Sequence, residues 1–251
     1  MEELFKILLL FAFGSTAGFI NIMAGGGSSI TLPLLIFLGL DSAMANGTNR
    51  IAVFIQNIAA IISFKQEKFA QFKLSFKLSL CTLPGAIIGA IVAVKIDNEL
   101  FQKILGFVII GIMITILFPQ FNRRSNSQTN DDSYNPWLLY PAMFGIGFYG
   151  GFIQAGVGFL IMAALLHLMK LNLIRVNMHK VFIVFVFTFP AILIFIFTGN
   201  VKWSYALILS AGNAFGGWWS AKISVKKGEK VIRIVLLVAM FIMALKLLKV
   251  F

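Results

Sequence analysis

Charged positions divide this chain into long apolar runs. Lys77 to Lys95, Lys103 to Arg123, Val181 to Val201 and Lys202 to Lys222 bracket or contain such runs, Ala45 to Phe64 is another that holds Arg50, and Val231 to Leu248 closes the chain. About 20 apolar residues make a helix that crosses the hydrocarbon core, so six spanning helices are expected. Two stretches exceed that length: 34 residues from Ile7 to Leu40 and 37 from Ser133 to Met169 contain no Asp, Glu, Lys or Arg. At ~1.5 Å per residue each would form a helix over ~50 Å long, against a core of ~30 Å. Neither can be one straight span. Glycines interrupt both near the middle, as Gly25-Gly26-Gly27 in "INIMAGGGSSITLPLL" and as "GFYGGFIQAGVGF" from Gly147 to Phe159.

The two interrupted stretches are copies. Setting Ala24-Gly25-Gly26-Gly27 on Ala155-Gly156-Val157-Gly158 gives an offset of 131, and the same offset puts Asn46 on Asn177. "PGAIIGAIVAVK" (Pro84 to Lys95) matches "AGNAFGGWWSAK" (Ala211 to Lys222) at 127. Residues 1–118 and 137–251 therefore read as two membrane repeats, joined by the turn-rich hydrophilic linker 119–136. The expected fold is an all-α integral membrane protein, two homologous halves of four hydrophobic segments each, with the first segment of each half broken at glycines.

Parity sets the orientation of the halves. If each broken segment crosses the bilayer the repeats are parallel; if it turns back at mid-depth the repeats are inverted. Four crossings per half divide the 21 Lys and Arg residues 11 against 10, whereas three crossings put 14 on one face and 7 on the other. The second division is the one the positive-inside rule expects. Re-entrant hairpins, inverted repeats and termini outside the cytoplasm follow.

Composition agrees with a bilayer protein. The 251 residues are 59% hydrophobic and 12% charged, about half the charged fraction of a soluble domain, and the mean hydropathy is +0.94. The net charge of +12 lies in short clusters between apolar runs, where loops near anionic headgroups accumulate it, so it reads as topology and not as a nucleic-acid footprint. Cys81, the one cysteine, sits in an apolar run as a small hydrophobe and can form no intramolecular disulfide. Glu2 and Glu3 give the first segment the wrong sign for a cleaved secretory peptide, so it is expected to stay.

Unwound backbone inside a membrane persists only where protein buries it or where it lines a cavity. After Gly25-Gly26-Gly27 the next half-helix opens with Ser28, Ser29 and Thr31, so free N–H groups, hydroxyls and the positive end of a helix dipole converge. Gly156 and Gly158 do the same in the second half, without the serines. Two opposed helix N-termini would cradle an anion; the alternative is that the glycines only let helices pack closely. Polar residues surround both breaks: Asn21, then Asn46, Thr48, Asn49 and Arg50 in the first half, and Gln154, Asn177, His179 and Lys180 in the second. Arg50 and Lys180 attract an anion at a pore mouth or snorkel to headgroups. All nine acidic residues lie near segment ends or in loops. A cation pathway or proton relay would use carboxylates within the span, so the chemistry favours a negative charge. Metal-ligand spacings, nucleophile motifs and phosphate loops are missing, and neither an enzyme nor a cofactor is expected.

"GFINIMAGGGSSITLPLL" followed by "ANGTNRIAVFIQNIAAIISF", repeated as "GGFIQAGVGFLIMAALL" and "VNMHKVFIVFVFTFPAILIF", resembles the sulfite exporter TauE/SafE family of bacterial membrane permeases. The resemblance covers essentially the whole duplicated chain. It implies a multi-pass protein of the bacterial inner membrane that moves sulfite, sulfonates, thiosulfate or related anions. It places Asn21, Gly25, Gly26, Gly27, Ser28, Thr48, Asn49, Gly156, Gly158, Asn177 and His179 on the family's motif positions, with His179-Lys180 standing where a small hydroxyl-bearing pair is more usual. The expected function is a secondary transporter with one repeat rocking against the other, its partners being a small anionic substrate, membrane lipid and a possible second copy of the chain. A passive anion channel and a membrane scaffold are the alternatives.

Overall fold

The computed structural model describes residues 2–69, 72–117 and 135–247. Its elements are all helical: α1 (Glu2–Ala24), α2 (Ser28–Phe37), α3 (Ser42–Gln66), α4 (Phe72–Lys95), α5 (Asn98–Leu117), α6 (Pro136–Phe152), α7 (Val157–Leu168), α8 (Leu173–Phe197) and α9 (Trp203–Leu247). The linker expected at 119–136 falls almost wholly outside the described residues. Leu4–Ala24, Phe72–Lys95 and Leu173–Phe197 are long and apolar enough to cross a membrane. These are three among the described residues: Phe72–Lys95 and Leu173–Phe197 overlap two of the six expected runs, and Leu4–Ala24 belongs to the first overlong stretch. α3 has 25 residues but carries Asn46, Thr48, Asn49 and Arg50 within them, and α9 is broken at Gly228, whose φ of 70° and ψ of −169° are not helical.

Local chemistry explains the ends. Asn135 and Asn172 cap α6 and α8, accepting from Trp137 N at 3.1 Å and Arg175 N at 2.9 Å, as short polar side chains do at helix starts. α1 stops where Gly25 takes a φ of 88°, a left-handed conformation that only glycine adopts without cost. The chain then folds back: a Cβ on Gly27 would overlap the Ala17 carbonyl ten residues earlier, whereas a helix continuing straight would put those residues ~15 Å apart.

Packing crosses between the sequence halves. α1 packs on α9 and α6 on α4, α3 packs on α9 and α8 on α4, and α3 meets α8. This reciprocity sorts the long helices into two bundles, one of α1, α3 and α9 and the other of α6, α8 and α4. Each bundle draws helices from both halves. The two sequence halves are therefore interleaved and do not form separate bodies.

Small residues hold each bundle. Gly14 and Gly18 on α1 face Gly212 and Gly216 on α9, and Gly85 and Gly89 on α4 face Gly147 and Gly151 on α6, so close that a Cβ at Gly18 would lie 2.5 Å from the Asn213 carbonyl oxygen. Four Gly-x-x-x-Gly pairs thus make two matching seams, the usual device for backbone approach without a hydrophobic drive between helices. The outer surface is apolar, with Phe37, Phe107, Trp137 and Phe197 largely exposed, while Arg50, Lys180, Asn46, Asn49, Asn57 and Asn177 are buried. Such an inverted polarity fits lipid around the perimeter.

Candidate functional site

The two helix breaks touch. A Cβ on Gly25 would lie 2.6 Å from Phe159 N, and one on Gly158 would lie 2.8 Å from the Gly25 carbonyl oxygen. Absence of a side chain at both positions is what lets the two backbones meet. Beside this contact lies a cavity of about 10 Å³, near the minimum for one water. Asn21, Ser28, Asn57, Gln154 and Lys180 give it polar walls, and Ile22, Val53, Val157 and Val184 close it with Gly158. Both bundles contribute, together with the first residues of α2 and α7.

Neither α2 nor α7 has a side-chain cap or an acidic residue in its first turn, the capping positions being Gly27 and Gly156. Their positive ends are left without a protein anion. Gln154 adds a second sign of a site. It is 1% exposed and has a φ of 67°, an unusual conformation for a side-chain-bearing residue. Its Nε2 donates to Thr188 Oγ1 at 3.4 Å, while its Oε1 has no partner among the described residues.

Arg50 and Lys180 are not at pore mouths, and neither snorkels; both are buried and hold the cut ends of helices. The Arg50 guanidinium reaches from α3 to the end of α6, donating through Nη1 to the Gly150 carbonyl at 3.0 Å and through Nη2 to those of Gly151 and of Phe152, the latter at 3.4 Å. Asn46 helps, with Nδ2 donating to the Phe152 carbonyl at 2.7 Å, and the Phe195 ring lies 4.9 Å from the guanidinium carbon. Lys180 reaches from α8 to the end of α1. Its Nζ donates to the carbonyls of Asn21 at 3.2 Å and Ile22 at 2.6 Å and to Asn177 Oδ1 at 3.0 Å, with Met162 Sδ at 3.5 Å. Cations at helix C-termini satisfy orphan carbonyls and complement the dipole. Both therefore bridge the bundles.

The remaining expected residues divide between the cavity and its supports. Asn21, Ser28, Gln154 and Gly158 line it, with Gly25 in contact beside them. Asn49 Oδ1 accepts from Thr31 Oγ1 at 2.6 Å, Thr48 Oγ1 accepts from Lys202 N at 2.9 Å, and His179 Nδ1 lies 2.7 Å from Ser75 Oγ. Gly26 and Gly27 supply carbonyls to Ser29 N and Ile30 N in the first turn of α2. Asn57 and the valines were not singled out as ligands by their sequence pattern, which shows only an apolar helix. Among the described residues no group of His, Cys, Asp and Glu could hold a metal ion.

Comparison with known proteins gives the following. A family model described as "Sulfite exporter TauE/SafE" matches residues 10–247. A probable membrane transporter protein of Haemophilus influenzae is 28% identical over 242 residues, covering 96% of this chain and 94% of that one. The probable membrane transporter protein ORF9 of a Sinorhizobium species is 27% identical over 99% of this chain and 95% of its own, and YfcA of Escherichia coli K12, similarly described, is 27% identical over 96% and 88%. No solved structure matches.

Proposed function

The chain belongs to the sulfite exporter TauE/SafE family, and from that premise we propose that it is a secondary transporter for a small sulfur-containing anion such as sulfite, a sulfonate or thiosulfate. The observation that carries this reading is the meeting of two uncapped helix N-termini and a buried ammonium at one cavity whose lining contains no carboxylate. Oriented N–H dipoles and a cation in a low-dielectric interior attract an anion far more strongly than they would in water. The polar donors Asn21, Ser28, Asn57 and Gln154 supply hydrogen bonds to the oxygens. Gly25, Gly26, Gly27, Gly156 and Gly158 shape the two breaks, and Asn46, Thr48, Asn49, Asn177 and His179 brace the helices that carry them.

In this reading the protein sits in the bacterial inner membrane as two inverted repeats, 1–118 and 137–251, each opening with a re-entrant hairpin. Support comes from the fold-back at Gly27, the reciprocal helix packing and the positive charge bias of one face. Alternating access then moves one bundle against the other about the cavity. A site with room for about one water cannot hold an oxyanion of four heavy atoms, so the cavity must widen to admit the substrate.

The test is ligand-dependent thermal stability of the full chain in detergent against sulfite, sulfate, thiosulfate, taurine and simple carboxylates. Selective ligands stabilise the native state by mass action. A sulfur oxyanion is expected to raise the melting temperature in a saturable way, and no response to any sulfur anion would contradict the substrate class.

A further inference from the structure

We infer that the two bridging cations have divided one duplicated job: Lys180 is the cation that binds the transported anion and releases the bundles, whereas Arg50 is a fixed latch that never touches it. This rests on the transport reading above and assigns the working residue within it. Both residues cross from one bundle to the cut end of a helix in the other. Their surroundings differ in two ways.

First, Lys180 lines the cavity and Arg50 does not. Second, the three N–H donors of the Lys180 ammonium serve four acceptors, of which Met162 Sδ at 3.5 Å is a weak thioether contact. That contact exchanges readily for an oxyanion oxygen. Arg50 instead grips three successive carbonyls with Nη1 and Nη2 in a planar fork and has an aromatic ring against the guanidinium. Both cations are buried and neither pairs with a carboxylate among the described residues, but only Lys180 stands at the cavity where an anion can enter. A buried positive charge with no counter-ion is costly, and an anion entering beside Ser28 and Gln154 neutralises it.

The same step loosens the grip on α1. As Nζ turns toward the anion, the Ile22 carbonyl loses its Lys180 donor and the Asn21 carbonyl keeps only the Gly25 N–H at 2.8 Å, so closure across that side weakens while Arg50 still holds α6. Substrate binding thus frees one of the two bridges and leaves the other as the pivot. Lysine suits the first task because its ammonium swings on a flexible stem, and arginine suits the second because its fork is fixed.

The experiment compares wild type, Lys180→Gln and Arg50→Lys as full-length proteins in detergent, titrating sulfite and reading melting temperature. The expected result is that Lys180→Gln loses at least tenfold in apparent sulfite affinity while Arg50→Lys, though less stable without ligand, stays within about threefold of wild type. Equal sulfite responses in wild type and Lys180→Gln, or a loss in Arg50→Lys as large as in Lys180→Gln, overturn the division of roles and leave the transport reading standing. A wild type indifferent to sulfite, thiosulfate and taurine overturns both. If Lys180→Gln does not fold, a cryo-electron microscopy map of the wild type with selenite, a denser analogue of sulfite, decides the matter. Anion density within hydrogen-bond distance of Lys180 Nζ supports the inference, and density against Arg50 or away from both cations overturns it.

Discussion

Arg50 and Lys180 exchange partners across the molecule: the first, on α3, caps α6 from the second half of the chain, and the second, on α8, caps α1 from the first. They stand 130 positions apart, one short of the offset that aligns Asn46 with Asn177, so the duplicated helices supply the same service from adjoining positions. Each broken helix in the first bundle is closed by a cation of the second, and the converse. The bundles are held together at the place where the chain is least regular.

Removing the Arg50 fork leaves the Gly150 and Gly151 carbonyls short of a donor, while Asn46 still serves Phe152. Charge-assisted hydrogen bonds of this kind contribute about 1.5–3 kcal/mol each, with much overlap among neighbours. Arg50→Gln is expected to lower apparent stability by roughly 3 kcal/mol and Arg50→Lys by about half as much. Thermal unfolding of the ligand-free proteins in one detergent checks the order; equal stabilities would show that the cap carries no load.

Gly25 and Gly39 offer a matched pair. Their φ values are 88° and 89°, yet the Gly25 position abuts Gly158 while nothing lies within 4 Å of a Cβ at Gly39. Gly39→Ala should cost the left-handed strain alone, ~1–2 kcal/mol, and keep transport. Gly25→Ala adds an overlap with backbone, for ~1–3 kcal/mol more, and should abolish transport by prising the breaks apart. Uptake assays on both variants, alongside melting curves, separate the two effects.

Legibility followed the same divide between local and long-range causes. The helix end at Ala24 and the starts at Ser28 and Val157 are legible because Gly25 and Gly156 act on their own backbone, whereas α6 stops at Phe152 with no glycine there, and the spacing of Asn46 and Asn177 from the breaks exposes the duplication. The carbonyls that Arg50 meets lie about 100 positions away and those that Lys180 meets nearly 160. Nothing in the pattern of either helix says which carbonyls its cation will meet, so the sequence offers only a pore mouth or a headgroup contact for each. The exchange of helices between halves was hidden for the same reason. A usable signal did exist in Gly14-x-x-x-Gly18, Gly85-x-x-x-Gly89, Gly147-x-x-x-Gly151 and Gly212-x-x-x-Gly216, four matched motifs that mark two seams.

Those seams predict a graded response to bulk. At Gly216 a Cβ would overlap the Ser15 carbonyl, whereas nothing lies within 4 Å of one at Gly145. Gly216→Leu is expected to separate α1 from α9 and cost at least ~3 kcal/mol, while Gly145→Leu on the exposed face stays within about 0.5 kcal/mol. Retention of monodisperse protein after heating in detergent distinguishes them.

Gln154 separates stability from function. Glycine tolerates its φ of 67° without strain, so Gln154→Gly should hold or raise stability by up to ~1 kcal/mol. The same change removes a polar wall of the cavity and should weaken sulfite-dependent stabilisation about tenfold. A variant that is less stable and binds sulfite as well as wild type would show that the residue serves only the fold.

The central claim is that an anion is carried through the point where the two helix breaks meet. Countertransport tests it most directly: purified protein in liposomes preloaded with unlabelled sulfite, and uptake of labelled sulfite followed over time and concentration. Uptake should saturate, exceed that of protein-free liposomes, accelerate with sulfite inside and collapse in Gly25→Ala. Uptake no faster than in protein-free liposomes for sulfite, thiosulfate and sulfonates alike, or a flux that neither saturates nor responds to the preload, would contradict it.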